Sequence, residues 1–389
     1  MSPLPEGGLR VHLIAHHARD VAAGASGATL ALGHALGSLG CAVSYFFYDD
    51  AFGSNEHTEL SRMIRFPWRV ASHLVRGASE FDVVDATTGD AWVWGARGRP
   101  GRVNAALVAR SHGLEHVAVD ELRRRSEAGE VALSHRFGLY HGGYRLWEVR
   151  RSLLAADAQV FLNEPDAQYA VTKLGIPAAT ATVIPNGVPD YLLDLARVAP
   201  AAEGGTLALA FIGSWIPRKG IRSVVQAAAL LSEQGVDFSL LLLGTGGSEA
   251  DILSQFAESP RQRVRVVPRY EPHELPGLLN GSEVLLHPSW TEGFSLALVE
   301  GMACGLAPVA TRAGGATSLV HERVTGVVID ADAGGKIANA VAAMAANRVQ
   351  LGRMRIAAQE AVKDYRWSAI AERMLGVYRQ AMERSVRRA

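Results

Sequence analysis

Residues 207–231, LALAFIGSWIPRKGIRSVVQAAALL, decide how the chain folds. Six apolar residues read as a strand buried on both faces; Gly213, Ser214 and Pro217 mark a turn; a run with apolar residues at helical spacing follows. That is one strand–turn–helix step of a parallel sheet with helices on both sides. The turn carries Arg218 and Lys219. Only four of the 39 basic residues, Lys173, Lys219, Lys336 and Lys363, are lysines, so the one at this turn stands out. A cationic pair at the carboxyl edge of a parallel sheet suits a diphosphate. On these residues alone a solvated basic turn is the equal alternative.

The same step recurs downstream. FSLLLLG, VRVVP, EVLLHP, LAPVAT and GVVI read as further strands, with helices expected over 219–234, 248–258, 295–304 and 315–322. Between the fourth and fifth of these six strands lies PSWTEGFSLALVEGMACG, residues 288–305. Ser295 reads as the N-cap of the helix that follows. Glu292 lies in the loop before that helix and Glu300 in its second turn, so both carboxylates can face one crevice with the unpaired N–H groups of the first turn between them. Carboxylates accept from sugar hydroxyls and a helix N-terminus holds an anion, which suits a polyol joined to a phosphate. Two such glutamates alone are more often a solvated helix face and a loop charge.

Upstream, VHLIAH, AVSYFF, FDVVDA, NAALVARSHG, AQVFL and ATVIPNGV give six more strands with helical segments between them. The stretch from Asp190 to Gly205, with Pro200, several alanines and a closing Gly-Gly, reads as a linker. With 389 residues the chain suits two doubly wound α/β domains, 1–190 and 206–365, and a terminal helical segment, 366–389.

Composition excludes several classes. Hydrophobic content of 48% with 20% charged residues describes a globular protein, and zero formal net charge with no base-stacking aromatic array argues against nucleic-acid binding. Cys41 and Cys304 have no partner spacing for zinc or redox chemistry, which fits a cytoplasmic compartment. The N-terminal MSPLPEGGLR lacks the basic region of a signal peptide, and no apolar run is long enough to span a bilayer. RMIRFPWRVASHLVRGASEF, residues 62–81, interleaves arginines with Ile64, Phe66, Trp68 and Leu74. It is expected to be a surface helix interrupted at Pro67 with its aromatics toward the core; weak peripheral membrane contact is the alternative. Asp49–Asp50 reads as an exposed turn, and His16–His17 as acceptor contacts or exposed residues rather than ligands of one metal.

The ordered series GSWIPRKG, LLLLGTGG, PSWTEGFSLALVEGMACG, TRAGGATSLVHERVTGVVI and YRWSAIAERMLGVYRQAM, preceded by SHG at 111–113 and VIPNGV at 183–188, resembles family 4 of the retaining glycosyltransferases. Each piece is weak and their order is specific. The resemblance implies a GT-B fold: two Rossmann-like domains facing across a cleft, the last helix crossing back to the first domain.

It also implies roles. Arg218 and Lys219 would hold the diphosphate of a nucleotide-sugar, Glu300 the ribose hydroxyls and Glu292 those of the transferred sugar. The backbone at Phe294, Ser295 and Leu296 would cap phosphate and sugar, while Gly213, Gly244 and the Arg269–Tyr270 turn would border the nucleotide. His112 would stand beside the sugar ring and, with Glu292, form the catalytic pair. His16, His17 and Arg19 would lie on the acceptor side. Two positions depart from the family pattern: Ala23 and Gly24 stand where a Gly-Gly pair is usual, and Ser214 where an arginine is common.

The implied activity is a retaining, hexosyltransferase-type transfer to a hydroxyl acceptor, with UDP the commonest nucleotide and GDP, ADP and TDP open. The leaving diphosphate would take the acceptor proton on the same face, without a metal or other cofactor. The acceptor is open among lipid, polysaccharide, small polyol and natural product, and the lack of a membrane segment favours a small soluble one. A nucleotide-sugar epimerase or phosphorylase of similar shape, or a non-catalytic nucleotide-sugar-binding protein, are the competing readings.

Overall fold

The computed structural model describes residues 8–20, 24–52, 59–101, 105–198, 204–330 and 334–388. The chain divides into two compact units, Met1–Gly187 with Trp367–Ala389, and Val188–Arg366. Position 23 and positions 199–203 of the expected linker lie outside the described residues.

The first unit is built on six parallel strands: β1 Arg10–Ile14, β2 Ala42–Phe46, β3 Val83–Thr87, β4 Ala106–Arg110, β5 Ala158–Phe161 and β6 Ala181–Val183, in the order β2-β1-β3-β4-β5-β6. Side chains alternate between two faces, as strand geometry requires. Val84, Ala86, Leu107 and Ala109 pack on one side with Phe66, Val70, Leu74, Val149 and Leu153. Val83, Ala106 and Val108 face the other, where the helices Gly24–Ser38 and Trp367–Arg388 supply Leu32, Leu36, Ile370, Met374, Leu375 and Tyr378. Each large apolar side chain buried there contributes about 1.5–3 kcal/mol. The last helix therefore belongs to the first unit's core, as the resemblance implied.

Helix Glu59–Gly77 runs through Pro67 without a break, so the expected interruption does not occur. Its aromatics also split: Phe66 is wholly buried, whereas Trp68 is 47% exposed with the Arg97 guanidinium 5.0 Å over its ring. Two residues along a helix turn a side chain about 200°, so both could not face the core.

The second unit repeats the plan with β7 Leu207–Ile212, β8 Phe238–Leu243, β9 Val264–Val267, β10 Val284–His287, β11 Ala307–Thr311 and β12 Val327–Ile329, all parallel, in the order β12-β11-β10-β7-β8-β9. Helix formation differs from expectation at three places. Pro217–Lys219 form a 3-10 turn, and the helix starts at Ile221 because Gly220 is left-handed. The 248–258 segment breaks into Glu249–Leu253 and Glu258–Arg261. The 315–322 segment yields only Ala316–Leu319.

Candidate functional site

In the second sheet β7 lies between β8 and β10, so successive crossovers leave it in opposite directions. Loops after strands flanking such a switch point diverge and open a crevice at the carboxyl edge. The loops after β7 and β10 are the two that carry Arg218, Lys219 and Glu292.

Backbone contacts lock these loops together. Gly220 has φ 72°, and a Cβ there would overlap the Pro288 carbonyl. Trp290 N donates to Arg218 O at 2.9 Å, and Arg218 Nη1 donates to Thr291 O at 3.1 Å. From behind, Gly314 approaches so closely that a Cβ would overlap the Glu292 carbonyl, and Gly315 N donates to Gly293 O at 3.1 Å. Phe294 is buried, its ring 5.5 Å from that of Tyr365.

Lys219 Nζ stands 2.5 Å from Glu292 Oε1, and Arg218 Nη1 lies 3.8 Å from Oε2. Burial alone would raise the Glu292 carboxyl, but Lys219, His287 and Arg218 outweigh it and hold the group below the usual carboxylate range. Three of the residues expected at the site thus meet in one cluster.

Ser295 corrects the expectation. It has φ 59° and ψ 83°, and its side chain makes no cap bond to the helix. A side-chain cap needs an extended N-cap residue; left-handed Ser295 instead places Oγ 2.9 Å from Nε2 of His287. Burial pulls His287 down to about 4, so the ring is neutral. The sequence reading missed His287, although a histidine closing an apolar strand at the carboxyl edge was a visible signal. Leu296 opens the helix, and among the described residues its N–H and that of Ala297 bond to no carbonyl.

Glu300 stands apart from the ion pair. Among the described residues its carboxyl forms no hydrogen bond or ion pair, and burial raises it to about 7. Its charge pushes the Tyr191 and Tyr270 hydroxyls and the Cys304 thiol upward, in addition to their own burial. A Cβ on Gly244 would lie 3.1 Å from the Tyr270 ring and 4.0 Å from Gly213 N, so Gly213, Gly244 and Tyr270 link this carboxyl to the loop after β7. Ser214 and Arg269 are exposed.

In the first unit β1 lies between β2 and β3, again a switch point. His16 follows β1, with Nδ1 2.8 and 3.0 Å from the two Asp90 oxygens and Nε2 3.4 Å from Arg145 Nη2. Burial and Arg145 keep it neutral, at about 3. Arg145 also reaches Glu115 at 3.0 Å and Glu148 at 3.7 Å; the sequence reading assigned no role to this charged cluster. His17 packs its ring 4.4 Å from that of His16. Arg19 is drawn away to the exposed pair Asp49 and Asp50, its backbone N–H donating to Asp49 at 2.7 Å and Nη2 lying 3.4 Å from Asp50. Gly24 opens the first helix, and among the described residues no atom outside its own helix backbone lies within 4 Å of where a Cβ would stand. His112, two residues beyond β4, has Nε2 3.3 Å from Arg110 Nη1 and 3.5 Å from Thr29 Oγ1.

Two family models match consecutive parts of the chain: Glycosyltransferase Family 4 over residues 4–190, and Glycosyl transferases group 1 over residues 195–361. The chain belongs to glycosyltransferase family 4. One relative within the family group is D-inositol 3-phosphate glycosyltransferase from Pseudarthrobacter chlorophenolicus, 30% identical over 239 residues, or 57% of this chain and 55% of the relative. The chain thus spans about half the length of that curated relative. Among solved structures, sucrose-phosphate synthase from Thermosynechococcus elongatus superposes with a TM-score of 0.74 at 21% identity, covering 96% of this chain and 98% of that one. Anabaena HepE in complex with UDP-glucose gives 0.68 at 18% identity, covering 95% and 98%. These likenesses establish the GT-B fold for this family 4 member.

Proposed function

We propose that the chain transfers a hexose from a nucleoside diphosphate sugar, UDP-linked by preference, to a hydroxyl of a small soluble acceptor, with retention at the anomeric carbon and without a metal. The observation that carries the reading is the Lys219–Glu292 pair at the switch point of the second sheet, with Arg218 beside it. Two cations against one carboxylate leave a net positive charge where a diphosphate would lie, next to the open first-turn N–H groups of Leu296 and Ala297. In this reading Lys219 and Arg218 stabilise the charge that grows on the leaving diphosphate, and that diphosphate takes the acceptor's proton on the face it departs from. Glu292, kept ionised by Lys219, accepts from hydroxyls of the sugar, and Glu300 from the ribose. His112 takes its part in transfer from the family resemblance.

Support comes from family membership and from the UDP-glucose carried by the Anabaena structure. The test is a panel of UDP-, GDP-, ADP- and TDP-sugars offered with inositols, aminocyclitols and simple glycosides, with products read by mass spectrometry. Proton coupling at the new anomeric centre reports retention, and activity in EDTA reports metal independence. Release of free nucleotide with no glycoside formed under any pairing would sink the reading.

A further inference from the structure

A buried polar chain runs from the C-terminal helix to His112 within the first unit. Tyr378, fully buried, donates its hydroxyl to Asp85 Oδ2 at 2.6 Å. Asp85 accepts from Arg110 Nε at 3.1 and 3.3 Å. Arg110 Nη2 donates to Thr29 Oγ1 at 3.2 Å, and Nη1 lies 3.3 Å from His112 Nε2. Asp85 is 0% and Arg110 2% exposed, on a sheet face of valine, leucine and alanine side chains. An ion pair this deeply buried is weak as a source of stability, because desolvation cancels most of its attraction. Its geometry has a sharper consequence.

A guanidinium has donors and no acceptor. His112 Nε2, facing Arg110 Nη1, must therefore be the unprotonated ring nitrogen. Thr29 does not reverse this, since its own hydrogen goes to Ala25 O at 3.0 Å and its oxygen stands further from the ring, at 3.5 Å. A charged donor at the shorter distance prevails. Burial, and after it the Arg110 charge, disfavour the imidazolium. The single ring proton then sits on Nδ1, which is buried and meets no partner among the described residues.

We propose that Arg110 is a positioning residue for His112: held by Asp85, itself tethered by the Tyr378 hydroxyl, it fixes the imidazole as the Nδ1–H tautomer, so that the ring presents a donor to the sugar. Only the identity of what Nδ1–H meets rests on the proposed function; the tautomer stands on the first unit's own geometry.

The experiment uses the full chain labelled with nitrogen-15 histidine, with long-range proton–nitrogen correlations of the imidazoles and His112 assigned by comparison with His112→Gln. The wild type is expected to show His112 as pure Nδ1–H at pH 7. The paired change Asp85→Asn with Arg110→Met, which avoids leaving an unpaired buried charge, is expected to give a mixture of tautomers. Tyr378→Phe, a milder change, is expected to shift the His112 signals and lower kcat about 3–10-fold with donor KM within about twofold, the pattern of a lost transition-state contact. A wild-type Nε2–H signature, or a pure Nδ1–H signature that survives the paired change, would overturn the proposal. Full transfer by His112→Gln beside the expected wild-type spectrum would instead remove the role of His112 in transfer and leave the positioning by Arg110 standing.

Discussion

The Lys219 ammonium and the Glu292 carboxylate, 73 positions apart in sequence, are in direct contact at 2.5 Å, and both side chains are largely shielded from water. Neither strand end holds them alone. The contact exists because β7 and β10 are neighbours, and because Gly220 and Gly314 let backbone pass where a Cβ would block it.

Lys219→Ala is expected to reduce transfer by about a thousandfold or more, since charge on the leaving group loses its nearest cation. It also strips Glu292 of its close partner, and an unpaired buried charge costs about 3 kcal/mol or more in urea unfolding. Adding Glu292→Gln should recover most of that stability and none of the activity. Circular dichroism should be unchanged in both variants.

Glu300 titrates at about 7 in the folded chain, above its ordinary 4.5. A raised folded value means that the unfolded chain ionises first, so stability falls as pH rises from about 4.5 to about 7 and then levels. Glu300→Gln removes that loss. It should be more stable than wild type at pH 8 by on the order of 2 kcal/mol, and no more stable at pH 4. Chemical denaturation at the two pH values checks this. For the wild type, donor KM should rise as pH falls from 8 to 6, because the protonated carboxyl accepts fewer ribose hydroxyls.

Ser214 is exposed at the turn after β7 and contributes no charge there. Ser214→Arg should lower donor KM by about 3–10-fold at low salt and make it more sensitive to ionic strength, as a third cation near the diphosphate requires. A KM that rises in this variant would place the diphosphate elsewhere.

Gly314 combines φ 47° with a Cβ position that overlaps the Glu292 carbonyl. Gly314→Ala must push the 288–295 loop away, so a loss of about 2–3 kcal/mol in stability and a donor KM about tenfold higher are expected together.

All twelve strands were legible because a strand buried in a parallel sheet is a short apolar run between turn residues. Lys219 and Glu292 were legible as residues near strand ends; their contact was not, since strand order is a tertiary property. Ser295 escaped for a related reason: a serine before an apolar run signals a cap, but the bond from Oγ to His287 and the close passage of Gly314 and Gly315 set its backbone from outside the local sequence. Asp85 and Arg110 were readable in principle. Each is a charge inside an apolar strand, and opposite charges in two such strands suggest a pair if the strands are neighbours. Trp68 shows the opposite error, since hydrophobicity alone does not say which side of a helix is wet.

The placement of helix Trp367–Arg388 in the first unit's core dictates an order of assembly. During synthesis Val188–Arg366 emerges as a continuous stretch and has all its own strands, whereas the face of the first sheet shared by helices Gly24–Ser38 and Trp367–Arg388 stays partly uncovered until the second of these has been made. A fragment ending near residue 187 would carry Asp85 without the Tyr378 hydroxyl and a bare strip of valine and leucine, and it should aggregate when expressed alone.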